Sequence, residues 1–297
     1  MNKNLLALVV VVAVAFACGR TRREVAHRAS SPPRDAASRA PTAPATAPAP
    51  ASTAPIVREV AVVRVGAMPE RWQLEWRRPP TPACGADDPD AAGNCACTGF
   101  AFGEEGVLDL VRKRPGRLDE RLALTPVFGE VGDDGPTGID SLAVLQHWPG
   151  HVDDYFVDDW PKLEREVRAR PVTRAMKFGD YDHDGHATEF LLQVGTLPCG
   201  RREEVLVGVS AADSTLHVFR SVGHPERALV LQAEIWEKLR RGKETVTTLE
   251  WPCRDHGSDT QTELTLRAGP AGIDGTRFEY QCSGLRARRD HVTSKRI

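Results

Sequence analysis

Short runs in which apolar and polar side chains alternate, broken by turn-forming residues, most narrow what this chain can fold into. Trp72-Gln73-Leu74-Glu75-Trp76-Arg77 alternates strictly, the pattern of a strand with one buried and one wet face. Before it stands Val60-Ala61-Val62-Val63-Arg64-Val65, rich in β-branched residues, with Gly66-Ala67-Met68-Pro69 as the turn between. The same reading predicts strands over 100–102, 107–111, 122–124, 172–178, 190–194, 205–209 and 216–219, and near 246–251, 263–267 and 277–282. Residues 141–148 suit either a strand or a helix. A helix is predicted over about 232–241, with Ile235, Trp236 and Leu239 as its apolar face and Arg240 and Arg241 at its negative end. Gly242 follows it. A shorter helix, capped by Asp158 or Asp159 with Pro161 in its first turn, runs to about Arg168, and Leu163 and Val167 share a face with Trp160. The fold class expected is mainly β, with antiparallel sheets in a sandwich-like or partly propeller-like arrangement, one or two short helices and disulfide staples.

The alternation begins only near residue 58. Residues 2–17 hold Lys3 and then an apolar run ending in small residues. That is the form of an export signal, and it is shorter than the ~20 residues a spanning helix needs. Ala15-Phe16-Ala17-Cys18-Gly19 resembles the lipobox of bacterial lipoproteins, although that family usually has Leu, Val or Ile where Ala15 stands. The resemblance implies cleavage before Cys18 and a lipid on its side chain. Gly19 after it implies, by analogy with enterobacterial lipoproteins, the outer membrane. Plain secretion or a periplasmic location is the alternative. Residues 19–57 are Pro-, Ala-, Thr- and Arg-rich with almost no large apolar side chains, so they cannot offset chain entropy by burial. They form a semi-rigid tether. The organisation expected is therefore a signal and lipobox over 1–18, a tether over 19–57 and a folded domain over 58–297.

Charge divides at the same boundary. Seven basic against two acidic residues give 1–57 a net charge of +5; the whole chain is −2, which leaves −7 for the remainder. An acidic domain gives no support for nucleic-acid binding. Of seven cysteines, Cys18 is taken by the lipid. Cys84, Cys95, Cys97, Cys199, Cys253 and Cys282 remain, an even number in an oxidising compartment. Three disulfides are expected: Cys84 with Cys95 or Cys97, Cys253 with Cys282, and Cys199 with the cysteine left over. A zinc knuckle from Cys84, Cys95 and Cys97 is the rival reading, but the spacing fits no standard zinc pattern.

One stretch carries specific chemistry: Asp180-Tyr181-Asp182-His183-Asp184-Gly185-His186-Ala187-Thr188-Glu189. Carboxylates at alternate positions point one way on a turn, a glycine permits the bend, and calcium takes six to eight oxygens from such flexible turns. The candidate ligands are Asp180, Asp182, Asp184, His186 through its carbonyl, Thr188 and Glu189. The stretch resembles the D-x-D-x-D-G loops of EF-hands, dockerins and the FG-GAP/VCBS repeats of β-propellers. Its strand-like flanks match the last of these. It departs from EF-hands in having Leu191 at the twelfth position, and from the propeller repeats in having Thr188 at the ninth with Glu189 one later. The other reading is a polar surface turn without an ion, and the nearby His183 and His186 raise a transition metal as an alternative.

Two functions follow. The first is a lipid-anchored, non-enzymatic binding or structural module of the cell envelope, with a calcium-stabilised loop and a protein or carbohydrate partner. The second is a metal-dependent hydrolase that joins the aspartates to His147, His151, Asp153 or Asp154. Nucleophile-elbow, Walker and dinucleotide motifs are absent. The six tryptophans offer a carbohydrate-stacking platform, but alternation assigns most of them to the core.

Overall fold

The alternating stretch at 72–77 becomes the heart of a hairpin. In a computed structural model, residues 54–66, 68–83, 102–129, 142–145, 147, 160–196, 201–242, 245–269 and 272–297 are described. The signal, the lipobox, nearly all of the tether, Cys84, Cys95, Cys97, Cys199, His151, Asp153 and Asp154 lie outside these residues. So do Trp148 and the expected strand's first residues, 100 and 101.

In chain order the elements are β1 (Ile56–Val65), β2 (Met68–Trp76), β3 (Thr81–Pro82), β4 (Gly103–Gly106), β5 (Leu108–Lys113), β6 (Glu120–Ala123) and α1 (Thr125–Gly129). Next come β7 (Leu142–Leu145), α2 (Trp160–Arg168), β8 (Glu189–Thr196), β9 (Arg202–Gly208), β10 (His217–Val218), β11 (Arg220–Ser221), β12 (His224–Ala228) and β13 (Val230–Gln232). The chain closes with α3 (Ala233–Arg241), β14 (Thr245–Trp251), β15 (Thr260–Gly269), β16 (Gly272–Ser283) and β17 (Arg286–Arg296). The fold is mainly β and its sheets are antiparallel, apart from a parallel bridge between Ser221 and Ile273.

A first sheet runs β1-β2-β5-β6, a second joins β8, β10 and β13 to β9, and a third centres on β15-β16 with β14 and β17 outside them. A small sheet, β3-β4-β7, stands beside them. Within 141–148, the described residues Leu142–Leu145 are a strand, and the 205–209 and 216–219 runs pair antiparallel, with His217 opposite Gly208.

The second sheet is buried on both faces. Val205, Val207 and Val209 share a core with Trp72, Leu74, Trp76, Leu108 and Leu110 of the first sheet. Leu206 points the other way, into a core with Trp236, Leu239, Leu264, Leu266 and Ile273. Strand side chains alternate between faces, so an unbroken apolar run such as Val205–Val209 marks a strand with no wet side. Phe190, Leu192 and Val194 follow the first core, while Leu191 packs on the second. The layers are therefore the first sheet, the doubly buried sheet, and α3 with the third sheet.

The helix α3 buries Ala233, Ile235, Trp236 and Leu239, as its spacing predicts. Trp236 is fully buried, and its indole N–H donates to the Glu204 carbonyl at 2.8 Å, which meets the polar demand of a buried tryptophan. In α2, Val167 is buried and Leu163 partly so. Cys253 and Cys282 form a disulfide that joins the end of β14 to β16, as expected.

Residues 172–178 correct the reading as a strand. They form no strand and bend at Ala175, where Lys177 N–H donates to the Ala175 carbonyl at 3.0 Å and side chains supply hydrogen bonds that a neighbouring strand would have given. The Glu59 carboxylate accepts from the N–H groups of Ala175 and Met176 at 2.7 and 3.3 Å, and the Thr173 carbonyl accepts from Arg58 at 3.1 Å. Among the elements that alternation did not reveal are the five-residue α1 and β17, eleven residues of mostly charged, exposed sequence.

Candidate metal centre

The acidic turn is hung between the two cores. Just before it, Phe178 meets Trp72 and Phe190 edge-on at 5.5 and 5.6 Å. Just inside it, Tyr181 meets Trp236 edge-on at 6.3 Å between ring centres. One aromatic thus anchors the turn to each core, and edge-to-face pairs of this kind each add about 0.5–1.5 kcal/mol beyond burial. A Cβ on Gly179 would lie 2.8 Å from the Tyr181 ring, so this close approach needs glycine.

The turn is closed by a bridge between Gly179 and Glu189, in which Gly179 N–H donates to the Glu189 carbonyl at 2.8 Å. Glu189, the first residue of β8 through its pairing with Gly208, is thereby brought back beside the start of the turn, where its carboxylate meets Tyr181 N–H. No second bend is required to carry the tenth residue inward. Within the loop, Gly185 has φ +91° and His183 φ +59°. The first conformation suits glycine; the second costs a non-glycine residue about 1–3 kcal/mol. His183 is held there by Nε2, 2.9 Å from the Leu239 carbonyl in the last turn of α3.

Each carboxylate gives some of its oxygens to the turn. Asp182 Oδ1 accepts from Asp184 N–H at 3.1 Å, and Asp180 Oδ2 accepts from Gly185 N–H at 3.1 Å. Glu189 Oε2 accepts from Tyr181 N–H at 2.9 Å. The Thr188 hydroxyl donates towards Glu189 Oε1 at 2.6 Å and lies 3.0 Å from the Val209 carbonyl. Two oxygens remain over, Asp180 Oδ1 and Asp182 Oδ2, both buried and without a hydrogen-bond partner. An orphaned buried carboxylate oxygen is costly. Asp182 and Glu189 are both fully buried.

Asp180, Asp182 and Glu189 converge, with one oxygen from each within 4.8 Å of the others. Oxygens on opposite sides of a calcium ion, at bonds of ~2.3–2.6 Å, stand about 4.6–5.2 Å apart, so this set fits around one such ion. Acidity is strained in the same place. Burial, with Asp184 nearby, pushes Asp182 up to about 6. Burial pushes Glu189 up to about 8, against the pull of the Thr188 and Tyr181 hydrogen bonds. An all-oxygen donor set of this kind matches a hard divalent cation.

Of the expected carboxylate ligands, Asp184 stands outside this convergence. Asp184 accepts from His186 N–H at 2.8 Å and acts on the cluster through its charge. His186 is exposed, and neither its ring nor that of His183 belongs to the converging group. Thr188 is buried and orients Glu189. His147 is buried with Nδ1 2.9 Å from the Arg170 carbonyl, and it also lies outside the group. Of the tryptophans, Trp72, Trp76 and Trp236 are core, and Trp251 lies under the Arg201 guanidinium at 4.7 Å.

Sequence reading missed Tyr181, whose ring and N–H both hold the turn, and Glu59, which positions the segment leading into it. The aromatic inside an otherwise polar loop was a usable signal for Tyr181. Glu59 gave none, since it acts across more than a hundred residues. The fold and site define a class: an antiparallel β domain carrying a buried acidic turn. Compared with known proteins, the chain matches no family, no curated protein and no solved structure.

Proposed function

We propose that this chain is an exported lipoprotein of the cell envelope, a binding or structural module whose Asp180–Glu189 turn is stabilised by a structural calcium ion. The observation that carries the cation is the pair of buried, unpartnered oxygens, Asp180 Oδ1 and Asp182 Oδ2, in a group that Glu189 completes. A doubly positive ion offsets the mutual repulsion and the desolvation of these carboxylates. A role for the ion in holding structure is favoured by the way the turn is anchored to both cores. Export and anchoring are supported by the apolar leader, Cys18 and the Pro/Ala-rich stretch, which would hold the domain off an outer membrane. For a hydrolase using the same aspartates, His147 is committed to the Arg170 carbonyl, and the other candidates, His151, Asp153 and Asp154, lie outside the described residues.

Two measurements test this reading. Full-length protein carrying Cys18→Ser, purified without the lipid, should bind about one calcium per chain by atomic emission and melt higher in calcium than in EDTA. In cells, the unaltered chain should incorporate labelled palmitate and the Cys18→Ser chain should not. Equal melting in calcium and EDTA refutes the ion, and absence of label refutes the anchor.

A further inference from the structure

A cleft of about 310 Å³ opens between residues 173–177, β8, β9 and α3, at the small end of the ~300–1,000 Å³ range of ligand sites. Its apolar wall includes Ala175, Leu191, Leu192 and the Tyr181 ring. Three cations line it: Arg174, Lys177 and Arg202. Two of them, Arg174 and Lys177, are exposed. Against them, among the described residues, stand Glu59, whose Oε1 lies 3.7 Å from Arg174 Nε, and two acids of the cleft wall. Glu237 is already held by Arg240 at 2.7 and 2.9 Å, and Arg241 also donates to it. Glu204 is 7 % exposed, with Arg202 Nη1 at 3.7 Å from its Oε1. Burial raises its pKa, with the Glu234 charge adding to the rise and Arg202 and Lys177 opposing it. The folded residues are acidic as a whole, yet this concavity gathers positive charge around an apolar wall.

We propose that the cleft binds a small organic anion, a carboxylate on an apolar body, with the anionic group among Arg174, Lys177 and Arg202 and the body against Leu191, Leu192 and Tyr181. The charges around the mouth repel a cationic ligand. A neutral sugar would want an aromatic platform, and Trp72, Trp76 and Trp236 are core. Glu204 adds a deep polar contact for a hydroxyl or amide on the same ligand. This inference rests on the reading of the domain as a binding module and names what it binds.

Calorimetric titration of full-length Cys18→Ser protein in saturating calcium tests it, using 4-phenylbutyrate, 4-phenylbutanol and 4-phenylbutylamine as probes. The three share a body and differ in charge. Expected are binding of the carboxylate at least fivefold tighter than the alcohol and no detectable binding of the amine. Lys177→Gln should weaken the carboxylate about threefold and Lys177→Glu about tenfold. Lys177 is exposed, so both variants should melt as the parent does and keep its calcium shift. Equal affinity for all three probes, a preference for the amine, no carboxylate binding at 10 mM, or no effect of Lys177→Glu would each overturn the proposal. Failure of the calcium reading appears separately, as loss of the melting shift in the parent.

Discussion

Replacing Glu189 by Gln separates the two things its carboxylate does. The amide has the same shape: its oxygen can accept from Tyr181 N–H, and the Thr188 hydroxyl can turn wholly to the Val209 carbonyl at 3.0 Å. What is lost is the charge. Without an ion, Glu189 holds its proton to about pH 8 in the folded protein against an ordinary value of 4.5. A folded-state pKa raised in this way means that the folded chain binds the proton more tightly than the unfolded chain. Ion-free stability therefore falls as pH rises from about 4.5 to about 8. At pH 8.5 the ionised side chain costs the fold up to about 4–5 kcal/mol, at 1.36 kcal/mol per pH unit. In EDTA, Glu189→Gln should be more stable than the parent at pH 8.5, and the difference should shrink towards pH 5. In calcium at pH 8.5 the gap should narrow by about half. At a hundredfold excess of calcium over Kd the parent gains about 2.7 kcal/mol. For a domain of this size that corresponds to roughly 5–10 °C in Tm, and the variant should gain little of it. Paired thermal melts by circular dichroism, at pH 5 and pH 8.5, in EDTA and in calcium, give all the comparisons. The reasoning is wrong if the variant keeps the parent's full calcium shift, or if the two differ equally at both pH values in EDTA.

Two further perturbations probe the frame around the site. Cys253→Ser with Cys282→Ser opens a cross-link spanning 29 residues, which should lower stability by about 3–4 kcal/mol; urea unfolding that does not shift would refute a stabilising role. Glu70→Ala leaves Arg112 buried without its main partner, since Arg112 Nη2 donates to Glu70 at 2.9 Å and both side chains are almost wholly buried. The expected loss is about 3 kcal/mol, read by the same denaturation, and an unchanged midpoint would show that Glu120 and the Ser214 carbonyl suffice.

Sequence reading worked where burial writes a period into the chain. Trp72, Leu74 and Trp76 could be placed because they share the apolar face of β2, although the expected wet face is not wet, since Gln73 and Glu75 are buried as well; α3 could be placed because Ile235, Trp236 and Leu239 recur at helical spacing. It failed where burial leaves no period. The strand β17 has Arg286, Arg288 and Arg289 in a row of polar residues and is held by pairing with β16, so nothing in its own composition announces it. The segment 172–178 looks like a strand by its β-branched residues, yet the N–H groups of Ala175 and Met176 go to Glu59. At the acidic turn, the alternating aspartates were legible and their division of labour was not. Whether Glu189 or Thr188 faces inward depends on the Gly179–Glu189 pairing, a matter of register that spacing alone does not encode.

The doubly buried sheet has a consequence for how the molecule comes apart. Because neighbouring residues of β9 belong to opposite cores, neither core can melt while the other survives: loss of that one strand strips a wall from both. Tryptophan fluorescence, which reports Trp72 and Trp76 on one side and Trp236 on the other, should therefore trace a single sigmoid coincident with the loss of β signal. The acidic turn leads directly into the neighbouring strand, so an ion bound there would act as a latch on the whole cooperative unit.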